Sequence, residues 1–224
     1  MVLSGLNPDS GRAAQEWVAK REAVTPDYHP LDVTDRESIA TFAEWLRSEY
    51  RRADILVNNA GVLPTSEMEA SMLTVEPDVA LAAYSTNALG ALRVSQALIP
   101  IMKRRNYGRI VNVSTPVASL ERMPGDVYPL APSYRLSKVA LNGITRLLAR
   151  ELAGTDLLVN SYSPGWVRTE MGGSDAPYSP EEAAETAVYL ATLPSPHEEG
   201  FNAGAQGGFF AEMRKFGGPV RLPW

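Results

Sequence analysis

The sequence predicts an α/β fold in which a parallel sheet is covered by helices. Short β-branched or aliphatic runs alternate with longer segments of helical periodicity along the chain. At 224 residues, the chain is also long enough to bury one substantial core, so a single domain over 1–224 is expected. In chain order the strand candidates are Met1–Ser4, Tyr28–Val33, Ile55–Asn58, Arg109–Val113, Leu157–Ser161 and Gly207–Phe210. Between them, helices are expected near Ser10–Glu22, Glu37–Tyr50, Asp78–Arg104, Pro132–Leu152 and Pro180–Leu193. In the fourth helix Leu141, Ile144, Leu148 and Leu152 recur at three- and four-residue spacing and form one apolar face. In the fifth, Pro180 suits a first turn that needs no N–H, and Glu181 and Glu182 favour the positive end of the helix dipole. Two irregular stretches, 63–77 and 116–132, follow the third and fourth strands. Loops at the carboxyl ends of parallel strands line ligand crevices, which makes both stretches substrate-loop candidates.

Composition removes several classes of function. With no cysteine there are no disulfides, thiolate zinc sites or cysteine nucleophiles, and a reducing compartment, the cytoplasm, is expected. Two histidines, His29 and His197, are too few and too scattered for a catalytic zinc site, so no metal is expected. A net charge of −5 offers no electrostatic reason to expect nucleic acid or an anionic membrane, and no apolar run approaches a bilayer span. The partner expected by default is a small molecule.

The sharpest chemical signal is Tyr134-Arg-Leu-Ser-Lys138, because a spacing of four on a helix stacks the phenol and the ammonium on one face. A nearby cation favours phenolate and lowers a tyrosine pKa, which equips such a pair for acid/base work. Taken alone, the spacing also describes an ordinary solvated helix face. It stands, however, in an ordered set: Leu31-Asp-Val-Thr-Asp35, Asp54-Ile-Leu-Val-Asn-Asn-Ala-Gly61, Thr86-Asn-Ala-Leu-Gly90, Gly108-Arg-Ile-Val-Asn-Val-Ser-Thr115 and Pro164-Gly-Trp-Val-Arg-Thr169.

With these segments in this order, the chain resembles the short-chain dehydrogenase/reductase family. The run Asn160-Ser-Tyr-Ser-Pro-Gly-Trp-Val-Arg-Thr-Glu-Met-Gly-Gly173 and the later Gly207-Gly-Phe-Phe210 resemble its carbonyl-reductase-like branch. The resemblance implies a Rossmann-like, doubly wound parallel sheet with helices on both faces. It also implies hydride transfer between a nicotinamide cofactor and a small alcohol/carbonyl substrate. Tyr134 would act as the acid/base. Lys138 would bind the nicotinamide ribose and hold the tyrosine pKa down, and Asn87 would help organise a proton relay through water. Counting from Asn112 places the remaining catalytic hydroxyl at Thr115, with Ser114 as the alternative if the register slips by one. On the cofactor side, Asp32 would meet the adenine with Val33 beside it. The Asn58-Asn59-Ala60-Gly61 turn would run along the cofactor, and Val167 and Thr169 would hold the carboxamide. The branch implies NADP, while Leu6, Asn7, Asp9 and Arg12 after the first run leave NAD open. Helices 78–104 and 132–152 resemble a pair that family members use for dimerisation, whereas this branch is often monomeric, so monomer and homodimer both stay open.

Each of these residues also has a plainer reading: Asp32 as a strand-end cap, Asn58 and Asn59 as turn formers, Pro164-Gly165 as a turn. Trp17 and Trp45 are expected to cover helix–sheet packing, His29 and His197 to be surface or hydrogen-bonded structural residues, and Trp166 to lie beside the nicotinamide site.

One family feature is missing: no Thr-Gly-x-x-x-Gly-x-Gly turn is present. The segment Val2–Gly11 resembles the family's second strand and the turn after it, so the sheet is expected to be incomplete at its amino end. The absent strand is the central one, so its two neighbours must lose their hydrogen bonds or close on one another, and the diphosphate-binding amides go with it. A start codon assigned too late, a naturally shortened chain with a rearranged sheet, and a paralogue kept for binding or scaffolding are the competing explanations.

Overall fold

Asn7, Asp35 and Ser179 each start a helix by turning a side-chain oxygen back onto its free N–H groups. Asn7 Oδ1 accepts from Asp9 and Ser10, Asp35 accepts from Glu37 and Ser38, and Ser179 forms a reciprocal capping box with Glu182. Pro180 occupies the first turn beside Glu181 and Glu182, as expected. The computed structural model describes residues 1–64, 70–123, 130–196, 198 and 205–224. His197 and parts of both irregular stretches, 65–69 and 124–129, lie outside the described residues.

The chain runs β1 (Val2–Gly5), α1 (Pro8–Arg21), β2 (Asp27–Pro30), α2 (Arg36–Glu49), β3 (Ile55–Asn58) and α3 (Pro77–Tyr84). A π-helical segment, Ser85–Gly90, joins α3 to α4 (Ala91–Lys103). Then come β4 (Gly108–Val113), a short 3-10 turn at Pro116–Ala118, α5 (Pro132–Glu151), β5 (Leu157–Tyr162), α6 (Pro180–Ala191), β6 (Phe209–Phe210) and α7 (Met213–Phe216). All strand pairs are parallel. Helices cover both faces, so the expected Rossmann-like architecture is present.

Among the described residues the sheet is split. β1 pairs with β2, while β3, β4, β5 and β6 pair in that order, and no ladder joins β1 to β3. Of the two outcomes expected for an absent central strand, the edges have therefore lost their hydrogen bonds rather than closed on one another. This edge is open: Ile55 and Val57 of β3 are 49% and 42% exposed, and backbone groups at an exposed strand edge can be served by solvent. The two sheets stay together through one apolar layer. Phe42 and Leu46 of α2 and Val94, Leu98 and Ile101 of α4 form a core that touches Val2 of β1, Leu31 after β2 and Leu56 of β3.

Some boundaries differ from the sequence reading. β2 ends at Pro30: Leu31 still donates to the Gly5 carbonyl at 3.0 Å, and then Asp32 folds back to accept from the Thr34 N–H, ending the strand. Asp32 and Val33 consequently lie in a turn at the strand's carboxyl end. Trp17, expected to cover packing, is 51% exposed with the Arg21 guanidinium over its ring, and α1 has no buried residue. Trp45 and His29 do behave structurally, stacking with Phe42 in one aromatic cluster, and His29 Nδ1 lies 2.7 Å from the Pro30 carbonyl.

The Val33 turn is locked against the π-helical segment at Gly90, where a Cβ would come within 2.7 Å of Val33 Cγ2 and 3.3 Å of the Val33 carbonyl oxygen. Gly90→Ala gains helix propensity of about 1 kcal/mol but overpacks this contact by about 1–3 kcal/mol. A net fall in melting temperature is expected. The Gly90→Ala/Val33→Ala double variant should be more stable than the sum of the single effects, as read in a thermal-denaturation cycle.

Candidate active site

Several of the side chains singled out in the sequence lie near the carboxyl ends of β3 and β4 and on α5. α5 starts behind Ala131, a buried non-glycine residue at φ 30° and ψ 61°, and Pro132 then sets the first turn that carries Tyr134. One turn later Lys138 is buried, its Nζ 5.7 Å from the Tyr134 ring centroid, so the shared helix face expected from the spacing is realised. Lys138 Nζ donates at 2.8 Å to the carbonyl of Val113, the last residue of β4. An ammonium has three N–H groups, so two remain for a ligand.

Asn87 is braced across the same space. Its Oδ1 accepts from the Val62 N–H at 2.7 Å, and its Nδ2 donates to the Val62 carbonyl at 2.9 Å and to Ser137 Oγ at 2.8 Å. Ser137 Oγ in turn donates to the Tyr134 carbonyl at 2.7 Å. A buried amide with these partners positions its neighbours and has no proton to exchange. The brace also pins the loop after β3. A Cβ at Gly61 would come 3.3 Å from Asn87 Oδ1 and 3.4 Å from Lys138 Nζ, so glycine keeps open the floor on which these two groups meet.

The two hydroxyls after β4 separate clearly. Ser114 is buried and its Oγ donates to Asn142 Oδ1 at 2.8 Å, a contact that ties β4 to α5. Thr115 is half-buried, and its hydroxyl makes no hydrogen bond among the described residues, not even as a cap for the 3-10 turn that follows.

Burial decides the electrostatics here. It pushes the Tyr134 phenol up to about 12 and the Lys138 ammonium down to about 8. The expected lowering of the tyrosine pKa by the lysine does not show in the direction found for Tyr134, for which burial is the cause. Protein packed around both groups disfavours both charged forms, with the ammonium nearly 6 Å from the ring centroid.

The remaining sequence-predicted residues are spread along the same edge. Asp32 is half-exposed and accepts from the Thr34 hydroxyl and N–H, which hold its carboxyl below the usual range. Val33 packs on Gly90. Asn58 turns its side chain inward, donating to Asn112 Oδ1 and Ser95 Oγ, while Asn59 and Ala60 are exposed in the loop. Val167 bridges to Tyr178, and Thr169 caps a tight turn with its hydroxyl 3.2 Å from the Gly172 N–H. Trp166 is exposed, but its indole N–H is fixed at 2.7 Å on the Gly172 carbonyl. No metal-binding cluster of His, Asp and Glu occurs among the described residues.

Residues 1–198 match the family model described as enoyl-(acyl carrier protein) reductase. The chain is 33% identical to carbonyl reductase [NADPH] 1 of Bos taurus, over 96% of this chain and 87% of that one. The chain belongs to the short-chain dehydrogenase/reductase family. Against the corresponding human protein the identity is 31%, with the same coverage. Two solved structures overlay the whole chain and 87% of their own. The carbonyl reductase Sniffer of D. melanogaster does so with a TM-score of 0.82 at 22% identity, and the NADPH-bound carbonyl reductase of chicken fatty liver with a TM-score of 0.80 at 24%. At these identities the overlays speak for the fold.

Sequence reasoning did not single out the polar seam behind this dehydrogenase/reductase site. Asn58 of β3, Asn112 of β4, Thr145 of α5 and Ser161 of β5 form a continuous hydrogen-bonded line at 2.6–2.8 Å. Polar residues at strand positions otherwise buried were the available signal. This line ties β3, β4 and β5 to α5, the helix that carries Tyr134 and Lys138.

Lys138 gives a test of the burial argument. A folded-state pKa of about 8 against 10.5 means that the unfolded chain binds the proton first as pH falls, so the contribution is lost on descending through that window. Raising the pH from 8 to 10 should therefore stabilise the native protein by on the order of 2 kcal/mol relative to Lys138→Met, as measured by urea denaturation of both proteins. A stability difference independent of pH would contradict the burial.

Proposed function

We propose that the protein reduces small carbonyl compounds to alcohols, with NADPH as hydride donor and Tyr134 as proton donor. The reading is supported by Tyr134 and buried Lys138 on one face of α5, by the Lys138 bond to the Val113 carbonyl at the end of β4, two residues before Thr115, and by Asn87, which reaches the Tyr134 carbonyl through Ser137. NADPH is preferred because the relatives are named for it. The absence of cysteine fits the cytoplasm.

The nicotinamide half of a dinucleotide fits what is present. Lys138 has two N–H groups to spare for ribose hydroxyls, Gly61 leaves the backbone open to close approach, and Val167 and Thr169 lie in the loop after β5. The diphosphate half does not fit: among the described residues no helix N-terminus opens between β1 and β3. That of α1 is already capped by Asn7 and carries Asp9 beside it.

A nicotinamide held by Lys138 and by the loop carrying Val167 and Thr169 would supply the hydride for the carbonyl carbon. Thr115 donates a hydrogen bond to the carbonyl oxygen and holds it toward the phenol. Tyr134, neutral at pH 7, then gives its proton to that oxygen as the C–O bond becomes single. An alkoxide is a stronger base than a phenolate, so the transfer runs downhill even from a phenol near pKa 12. Lys138 stabilises the phenolate left behind, an interaction that matters only once the charge has formed. Ser114, engaged by Asn142, takes no part.

The reverse reaction needs Tyr134 as a base, and at neutral pH that form is scarce. Alcohol oxidation should therefore climb with pH while carbonyl reduction stays level around neutrality. Both are measurable as initial rates of NADPH consumption or formation over a panel of aldehydes, ketones and alcohols. Tyr134→Phe should lower turnover by a factor of roughly 10² or more and Thr115→Val by roughly 10 or more, with Thr115→Ser retained and Ser114→Ala catalytically neutral.

The split sheet favours a second reading, a binding or scaffold paralogue that no longer holds the dinucleotide. A folded native chain that neither binds NADPH nor turns over any carbonyl or alcohol of the panel would decide for it.

A further inference from the structure

We infer that Arg135, the residue after Tyr134, is a positioning residue: it ties the stretch of chain that carries Thr115 to the helix that carries the phenol. The inference rests on the carbonyl reduction proposed above. Arg135 lies at the start of α5 and is buried, at 7% exposure. Its Nε donates to the Val117 carbonyl at 2.9 Å and its Nη2 to the Met123 carbonyl at 3.3 Å. One guanidinium thus holds two points of the irregular stretch that follows Thr115. Among the described residues it has no carboxylate partner.

Thr115 is bracketed by ties from this one helix. Two residues before it, the Val113 carbonyl accepts from Lys138 Nζ at 2.8 Å, and two residues after it the Val117 carbonyl accepts from Arg135. Ser114 adds a tie on the near side through Asn142. The Thr115 hydroxyl makes no hydrogen bond among the described residues, so its direction follows from its backbone, extended at φ −155° and ψ 147°, and from the few rotamers a β-branched side chain allows. Holding the carbonyls on both sides fixes that backbone. Arg135 therefore sets how the hydroxyl is aimed relative to the phenol one residue before it in α5.

Stability alone does not account for a guanidinium in this place. Taking the charge out of water is costly, and an apolar side chain of similar volume fills such a space without that penalty. What the guanidinium adds is a rigid planar fork whose separate N–H groups reach two carbonyls at once, a geometry that neither lysine nor glutamine has. The outer side of the same stretch has its own anchor. The Glu121 N–H and Ser119 Oγ donate to the Trp224 carbonyl at 3.2 and 3.3 Å. The stretch therefore stays docked when Arg135 is changed, and the tie that is lost is the inner one, next to Thr115.

The test is a double-variant cycle on kcat/KM for carbonyl reduction, joined to amide hydrogen exchange by NMR. Arg135→Lys and Arg135→Gln each keep a polar head at the site, and each should lower kcat/KM roughly tenfold. The Kd for NADPH should change by less than about twofold, because the residues assigned to the nicotinamide are untouched. In the Thr115→Val background the same changes should cost about twofold or less, since the hydroxyl they aim is gone. Without substrate, exchange at Ala118 and Ser119, whose N–H groups donate to the Thr115 and Pro116 carbonyls, should quicken by about tenfold in both variants. Ser114, whose N–H donates to the Tyr162 carbonyl in the sheet, should keep its native rate. Losses that multiply in the cycle, unchanged exchange at Ala118 and Ser119, or a folded Arg135 variant with native kcat/KM would overturn this inference alone. A native chain that reduces no carbonyl would overturn the proposed function and this inference together.

Discussion

The structure depends on the apolar layer that α2 and α4 lay beneath both sheets. Without a ladder between β1 and β3, no backbone hydrogen bond joins the two halves of the sheet, and the side chains around Phe42, Leu46, Leu98 and Ile101 take over that task. Burial of such a side chain contributes roughly 1.5–3 kcal/mol, so a handful of them matches the worth of the lost strand pairing. The same layer fixes α4, and through α4 the π-helical segment that carries Asn87. The site is therefore anchored by packing more than 30 residues away in sequence from Tyr134.

Within the site, desolvation outweighs pairwise attraction. Tyr134 and Lys138 share a helix face, yet burial holds the phenol protonated and weakens the ammonium. A neutral phenol is the form that the proposed proton donation requires, and the proposal gives the buried cation its part once a phenolate appears. The polar seam from Asn58 to Ser161 lets strands carry asparagine and serine in a core without unpaired groups in that line, and keeps Lys138 and Val113 in fixed relation.

Much of this was legible in the chain. Alternating apolar runs and helical periodicity located all six strands and the five long helices, because buried parallel strands and amphipathic helices leave strong periodic patterns. The Tyr134–Lys138 spacing translated directly into a shared face. Less legible were features set by a single tertiary partner. The π-helical segment accompanies Asn87 capturing both backbone groups of Val62, which periodicity does not encode. Ser114 and Thr115 are interchangeable in the sequence until Asn142, 28 residues away, claims one of them. Trp17 misled because a tryptophan on a helix normally finds a core, and here the layer it would cover is interrupted.

The proposed function requires that a nicotinamide nucleotide bind at Lys138, although no diphosphate cradle occurs among the described residues. Titrating NADPH into the native chain and into Lys138→Met, with nicotinamide fluorescence and melting temperature read together, tests it most directly. The native chain should bind weakly, with a Kd on the order of 10–100 μM, and melt at higher temperature as NADPH is added, with both responses lost in Lys138→Met. A folded native chain that shows neither response, or a variant that binds as well as the native protein, would contradict it.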